Sequence, residues 1–183
     1  FITAEDMGTT TRDMEYMRME TQHVTGVRGS IGGGGNPGPV TAKGVFYGIK
    51  ACVKEVFGTD MLAGKSVVVQ GIGNVGENLV ELLRQENVEV YISDINEERL
   101  HEVARKYKAK PISADKIFTI GADIYAPCAL GATVNDKTIK NMKFAIIAGS
   151  ANNQLADEAV HGQLLLKKGI LYAPDYLINA GGL

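Results

Sequence analysis

The chain has 183 residues, 45% of them hydrophobic and 22% charged, with a formal net charge of −2. That length suits one domain and some extra chain, and that balance excludes disordered and collagen-like classes. With 19 basic residues against 21 acidic ones and no block of like charge, nothing marks a nucleic-acid or anionic-lipid partner.

No apolar run approaches the roughly 18 residues that suggest a membrane span. The opening Phe1-Ile2-Thr3-Ala4-Glu5-Asp6 lacks the basic n-region of a signal peptide, so a cytoplasmic setting is expected. The chain starts at Phe1 and stops at Gly181-Gly182-Leu183, and either end is expected to be a cut. Cys52 and Cys128 form no short metal spacing with His23, His101 and His161. No metal is therefore expected, the thiols read as reduced packing groups, and the histidines as packing or surface residues.

Residues 10–24 predict a helix, because Thr10 and Asp13 have the spacing of a capping box and Met14, Met17 and Thr21 share a face. The stretch Gly29-Ser30-Ile31-Gly32-Gly33-Gly34-Gly35-Asn36-Pro37-Gly38-Pro39 predicts a linker or a loop close to ligand. From Val40 the period turns helical, with Val45, Ile49, Val53 and Val56 on one side and Gly58 at a left-handed cap position.

Strands then alternate with helices. Strands are predicted at 66–70, 88–93, near 110–112, at 123–126, 144–149 and 170–172, and helices at 74–86, 97–107 and 155–168. Ser66-Val67-Val68-Val69-Gln70 and Phe144-Ala145-Ile146-Ile147-Ala148 are apolar throughout, as strands covered on both faces are. The expected fold is a doubly wound α/β domain with a mostly parallel sheet.

The sharpest local signal is Val67-Val68-Val69-Gln70-Gly71-Ile72-Gly73-Asn74-Val75-Gly76 running into Glu77-Asn78-Leu79-Val80, a strand, a GxGxxG and a helix. Gly71 suits the tight turn, Gly73 the approach of a pyrophosphate and Gly76 close packing of helix on strand. The free N–H groups and positive dipole end of the helix favour the diphosphate. The second strand ends in Asp94, near the roughly 20-residue offset of a ribose-binding acid. A carboxylate there accepts from ribose hydroxyls and repels a 2′-phosphate. Ile95 and Asn96 supply no compensating cation, so NAD is expected over NADP.

Further segments carry a resemblance. Thr3-Ala4-Glu5-Asp6-Met7-Gly8-Thr9-Thr10, Gly35-Asn36-Pro37, Pro39-Val40-Thr41-Ala42, Ala126-Pro127-Cys128-Ala129-Leu130-Gly131, Ala148-Gly149-Ser150-Ala151-Asn152-Asn153-Gln154-Leu155, Tyr172-Ala173-Pro174-Asp175-Tyr176 and Asn179-Ala180-Gly181-Gly182 join the glycine motif and Ser93-Asp94-Ile95-Asn96. Together they resemble the leucine, phenylalanine and valine dehydrogenases, the apolar branch of the glutamate dehydrogenase superfamily, over essentially the whole chain. The resemblance implies reversible, NAD-dependent oxidative deamination of an L-amino acid to a 2-oxo acid and ammonia. A leucine-type enzyme that also takes valine and isoleucine is expected, with phenylalanine dehydrogenase as the alternative. A non-catalytic NAD-binding module is the reading from another class, and Asp6 argues against it.

By position, the resemblance gives Asp6 the catalytic proton-transfer role alongside a lysine, and Thr41 the hydrogen bond to the nicotinamide carboxamide. It places Asn152 near nicotinamide and substrate, Ala126, Cys128 and Ala129 near the cofactor ribose, and Ala4 and Leu183 in the side-chain pocket. Gly71, Gly73, Asn74, Val75, Gly76 and Asp94 complete the expected cofactor site.

The two family lysines that hold the substrate carboxylate and polarise the carbonyl are expected upstream, because Lys43 and Lys50 lie after the linker. Residues 1–25 are thus expected to be the edge of a substrate domain. Residues 26–183 are expected to be a Rossmann-type NAD-binding domain, incomplete at its C-terminus. The chain should bind NAD without turning over alone, and the intact enzyme should be a homo-oligomer.

Overall fold

The computed structural model describes residues 1–6 and 8–182. Among them, six strands form one all-parallel sheet: β1 Ser66–Gln70, β2 Glu89–Ser93, β3 Lys110–Pro111, β4 Ile124–Pro127, β5 Ile146–Ile147 and β6 Leu171–Tyr172, in the order β3-β2-β1-β4-β5-β6. That order reverses direction between β1 and β4, the switch point at which open α/β sheets bind ligands beyond their strand ends. The doubly wound fold class read from the sequence is the one observed.

The sheet is covered on both faces because alternate strand residues point opposite ways. Val67 and Val69 enter one core with Ala42, Val45, Ile49 and Val53 of helix α2 (Gly38–Phe57), Leu79, Val80 and Leu83 of α3 (Asn74–Gln85), and Leu100 and Val103 of α4 (Glu97–Tyr107). Val68 enters the other with Tyr125, Phe144, Ile147 and Leu165 of α5 (Glu158–Lys168). The register of β1 and β4 is pinned where Asp123 Oδ2 accepts from the Ser66 N–H at 2.8 Å and from Ser66 Oγ at 2.7 Å. Helix α2 stops at Gly58, whose φ of 73° is the left-handed cap expected there.

Several predicted elements are shorter than expected. Helix α1 (Thr11–Glu20) has the Thr10–Asp13 capping box, but it ends at Glu20 rather than 24. Residues beyond it are extended: the Thr3 N–H donates to His23 O and the Thr25 N–H to Thr3 O. Met14 is buried with Val24 and Val27 in a small separate cluster, whereas Met17 is 40% exposed. The methionine stripe is therefore one packed residue. Strand β5 keeps two of its six expected residues, and just beyond it the chain passes Pro127 so closely that a Cβ on Gly149 would lie 2.2 Å from Pro127 O. Helix α5 begins at Glu158 because Asp157 caps it, accepting from the Val160 N–H at 2.9 Å.

Short elements near the C-terminal end have no counterpart in the sequence reading. Helix α6 (Asp175–Ile178) and a 3-10 turn at Ala180–Gly182 pack on α2. Small residues allow that approach: a Cβ on Gly44 would lie 3.1 Å from Gly181 Cα, and one on Gly48 would lie 2.6 Å from Ile178.

Candidate active site

The turn after β1 follows from its glycines. Gly71 has a φ of 89° and donates its N–H to Ser93 O at 2.8 Å, and a Cβ there would strike Ala129 at 2.7 Å. A Cβ on Gly76 would lie 1.9 Å from Gly71 O, so helix α3 can begin against the turn only without one. Beside Gly73 nothing lies within 4 Å of where a Cβ would be. The turn therefore leaves open space at its one exposed glycine, beside the start of α3, whose first N–H groups have no partner within the helix. These residues fit a dinucleotide's diphosphate.

Asp94 sits against that turn. Its Oδ2 accepts from the Ile72 N–H at 2.8 Å and its Oδ1 from the Asn96 N–H at 2.8 Å. The carboxylate is half-buried and fixed by backbone donors, and each oxygen keeps a lone pair for a further donor. Asn96 caps α4, accepting from the Arg99 N–H at 3.0 Å. The Arg99 side chain then turns back to the glycines: Nε donates to Ile72 O at 2.6 Å and Nη2 to Glu77 Oε2 at 3.0 Å. A cation thus stands beside the turn although Ile95 and Asn96 supply none. Burial pushes the Glu77 carboxyl up, but the hydrogen bond and charge of Lys106 and the charge of Arg99 outweigh it and hold the group below its usual 4.5.

A cleft of about 570 Å³ opens at Glu5, whose carboxylate reaches Asn74 of the turn. It collects Ala4 and Asp6 from the N-terminal segment, Thr41 from the first turn of α2, Asn152 from the loop after β5 and Asn179 after α6. Asp6 is exposed, and the chain around it is held by its own turn: the Asp6 N–H donates to Thr9 Oγ1 at 2.9 Å, and the Thr9 N–H donates to Asp6 O at 3.0 Å. Asn179 Nδ2 donates to Asn152 Oδ1 and to Ser150 O. Gln154, fully buried, fixes that loop by donating Nε2 to Gly149 O at 2.8 Å and to Ala151 O at 2.9 Å. Glu5 joins cleft and turn, since its Oε1 accepts from Asn74 Nδ2 at 2.8 Å and its Oε2 from Thr11 Oγ1 at 2.9 Å.

The structure brings most of the predicted residues to the carboxyl ends of the strands. Gly71, Gly73, Asn74, Gly76 and Asp94 form the turn, with Val75 half-buried against the core. Asp6, Thr41, Asn152 and Ala4 line the cleft. Cys128 and Ala129 lie at the switch point, where the Cys128 N–H donates to Gln70 O at 2.7 Å. Burial pushes the Cys128 thiol up, which suits a packing group. Burial likewise pushes up the half-buried Cys52. Ala126 is not brought to the cleft: it is fully buried within the sheet, paired with Val69. Leu183 lies outside the described residues.

His161 is buried, its Nδ1 accepting from the Asp157 N–H at 2.9 Å and its Nε2 facing Asp136 Oδ1 at 3.3 Å. That is the packing role expected of it. Sequence reasoning missed Glu5, Asn179 and Arg99. Glu5 and Asn179 stand inside the quoted motifs, which was their signal. Arg99 had only its place in the first turn of α4.

Among the described residues no helix is long and apolar enough to cross a membrane. Residues 32–98 and 91–183 match the sequence profile of the Glutamate/Leucine/Phenylalanine/Valine dehydrogenase family. The chain is 51% identical over 182 residues to a leucine dehydrogenase of Thermoactinomyces intermedius, all of this chain against 50% of that protein. It is 46% identical over 183 residues to an L-tryptophan dehydrogenase of Nostoc punctiforme, all of this chain against 51% of that one. The crystal structure of L-tryptophan dehydrogenase from Nostoc punctiforme superposes with a TM-score of 0.83 at 43% identity, covering 100% of this chain and 51% of that one. The chain thus spans about half the length of the relatives it matches. With a matching profile over most of its residues and the reversed sheet order at the glycine turn, the chain belongs to the glutamate, leucine, phenylalanine and valine dehydrogenase family.

Proposed function

We propose that this chain is the NAD-binding part of an amino acid dehydrogenase that reversibly converts leucine, valine or isoleucine to the 2-oxo acid and ammonia. The observation that carries the reading is the junction of the glycine turn with a cleft lined by Asp6, Thr41 and Asn152, through Glu5 and Asn74. A binding module without chemistry has no use for Asp6 in that cleft. The leucine-type preference draws on the higher identity to leucine dehydrogenases than to tryptophan or phenylalanine dehydrogenases, 51% against 46% and 45%. Exposed, small Ala4 at the cleft is compatible with an apolar side chain.

NAD, when bound, supplies the hydride acceptor. The chain's own residues would hold and orient it: the first N–H groups of α3 would meet the diphosphate and Asp94 would accept from the adenosine ribose, while Thr41, by the family resemblance, would hold the carboxamide. Asp6 takes and returns protons as water adds to the substrate's imino carbon and ammonia leaves. Asn152 and Asn179, tied to each other, present amide groups to the substrate side of the cleft. Lysines for the substrate carboxylate and carbonyl lie outside this chain in our reading, so it binds NAD without turnover by itself. We read the intact enzyme as a cytoplasmic oligomer of like subunits, a reading checked by its fractionation and its mass in solution.

Titration calorimetry of the chain with NAD tests the cofactor assignment, and no binding by folded protein would refute it. In the protein of family length, Asp6→Asn should lower kcat by about 10²-fold or more with NAD affinity intact. Unchanged turnover would remove Asp6 from the chemistry.

A further inference from the structure

Ile72 is the residue between the first two glycines of the turn, and its peptide group is engaged from both sides. Its N–H donates to Asp94 at 2.8 Å, and its carbonyl accepts from Arg99 Nε at 2.6 Å. One residue thus separates the carboxylate at the ribose position from a guanidinium. A 2′-phosphate on the ribose would add a dianion at the Asp94 position, and it would need a cation to replace the hydroxyl's interaction. Arg99 stands in the first turn of α4, five positions past Asp94, and its side chain is 40% exposed. Through its bond to the Ile72 carbonyl it is a cation that the structure holds directly on this turn.

Arg99 is already committed. Its Nη2 donates to Glu77 Oε2 at 3.0 Å, and Glu77 also receives Lys106 Nζ at 2.9 Å and the Tyr107 hydroxyl at 3.3 Å. Glu77 stands in the first turn of α3, immediately after Gly76. Its carboxylate therefore ties two cations of α4 to α3.

We propose that Glu77 is a specificity-determining residue: by holding Arg99 against the Ile72 carbonyl, it denies a 2′-phosphorylated dinucleotide the cation it requires. Exclusion then has two parts. Asp94 repels the phosphate, and Glu77 keeps Arg99 from compensating it. The inference rests on reading this turn as the dinucleotide site.

The test is titration calorimetry of the full chain with NAD and with NADP, each variant first checked for folding by circular dichroism. Unmodified protein should bind NAD and bind NADP poorly. Asp94→Ser should narrow the gap. Adding Glu77→Gln should strengthen NADP by about a further tenfold, the size of one freed charge-assisted contact, with no comparable gain for NAD. Adding Arg99→Ala to that pair should abolish the gain. An NADP affinity indifferent to Glu77→Gln, or a gain that survives Arg99→Ala, overturns the assignment while leaving the NAD site standing. Folded unmodified protein that binds neither nucleotide overturns the site itself, and this proposal with it. If Glu77→Gln fails to fold with Asp94→Ser, Glu77→Gln alone is read by its NADP-to-NAD affinity ratio, which should rise, and an unchanged ratio overturns the proposal.

Discussion

Glu5 Oε1 accepts a hydrogen bond from Asn74 Nδ2 at 2.8 Å across 69 residues of sequence. The same carboxylate takes Thr11 Oγ1 on its other oxygen, so it clamps the segment carrying Asp6 between α1 and the glycine turn. Glu5→Ala removes both acceptors, whereas Glu5→Gln can keep one carbonyl oxygen for Asn74. Because the Asn74 contact is exposed, its share is modest, about 1 kcal/mol. A double-mutant cycle of Glu5→Ala with Asn74→Ala, read by urea denaturation, should return a coupling of that size. Additive losses would mean that the contact carries no energy.

Two glycines of the turn separate stability from binding. A methyl on Gly76 meets Gly71 O at 1.9 Å and cannot be accommodated unless α3 moves, so Gly76→Ala should cost about 1–3 kcal/mol. A methyl on Gly73 meets nothing within 4 Å. Gly73→Ala should melt with the unmodified chain yet bind NAD at least about tenfold more weakly, because the methyl fills the diphosphate's path. Equal melting temperatures for all three proteins would contradict the packing argument. Unchanged NAD affinity in Gly73→Ala would contradict the binding one.

Gln154 gives a prediction about the loop that presents Asn152. Its amide N–H groups satisfy two carbonyls from a fully buried position. Gln154→Leu fills similar space but strips both partners, and unpaired buried acceptors are expensive. A loss of about 2 kcal/mol in chemical denaturation is expected. The 149–153 amides should also exchange faster with deuterium. Full stability in the variant would show that these bonds contribute little.

What the sequence disclosed tracks how local each cause is. Strand β1, its GxGxxG and helix α3 were legible because the signals are adjacent: three buried valines, a turn demanding positive φ at Gly71, and a helix start against it. The place of Asp94 against the glycine turn was legible from its offset. The end of α1 was not, because Thr21 to Thr25 leave the helix to pair with Thr3, a partner far back in the chain. Nor was the close pass of Gly149 over Pro127 beyond β5. Arg99 and Glu5 escaped for the same reason, since their partners lie 27 and 69 residues away and only the fold brings them near.

The last prediction concerns acid. Glu77 faces Arg99, Lys106 and Tyr107 of α4, with Glu81 one turn along its own helix beside Tyr107. Burial raises its carboxyl, and the two cations lower it by more, so the native group ionises below its usual 4.5. Near that pH the unfolded chain therefore binds more protons than the native one at this site, and stability falls as pH falls. The contribution is fully present above about 4.5 and is lost as pH drops through the lower native value. Glu77→Gln removes the titrating group, so the acid limb of the stability curve should flatten while its neutral plateau drops, because Arg99 and Lys106 lose their anion. Urea denaturation of both proteins between about pH 3 and pH 7 reads this directly. Parallel acid limbs would mean that the α3–α4 ion cluster is fully screened by water, and that neighbouring carboxylates carry the acid sensitivity.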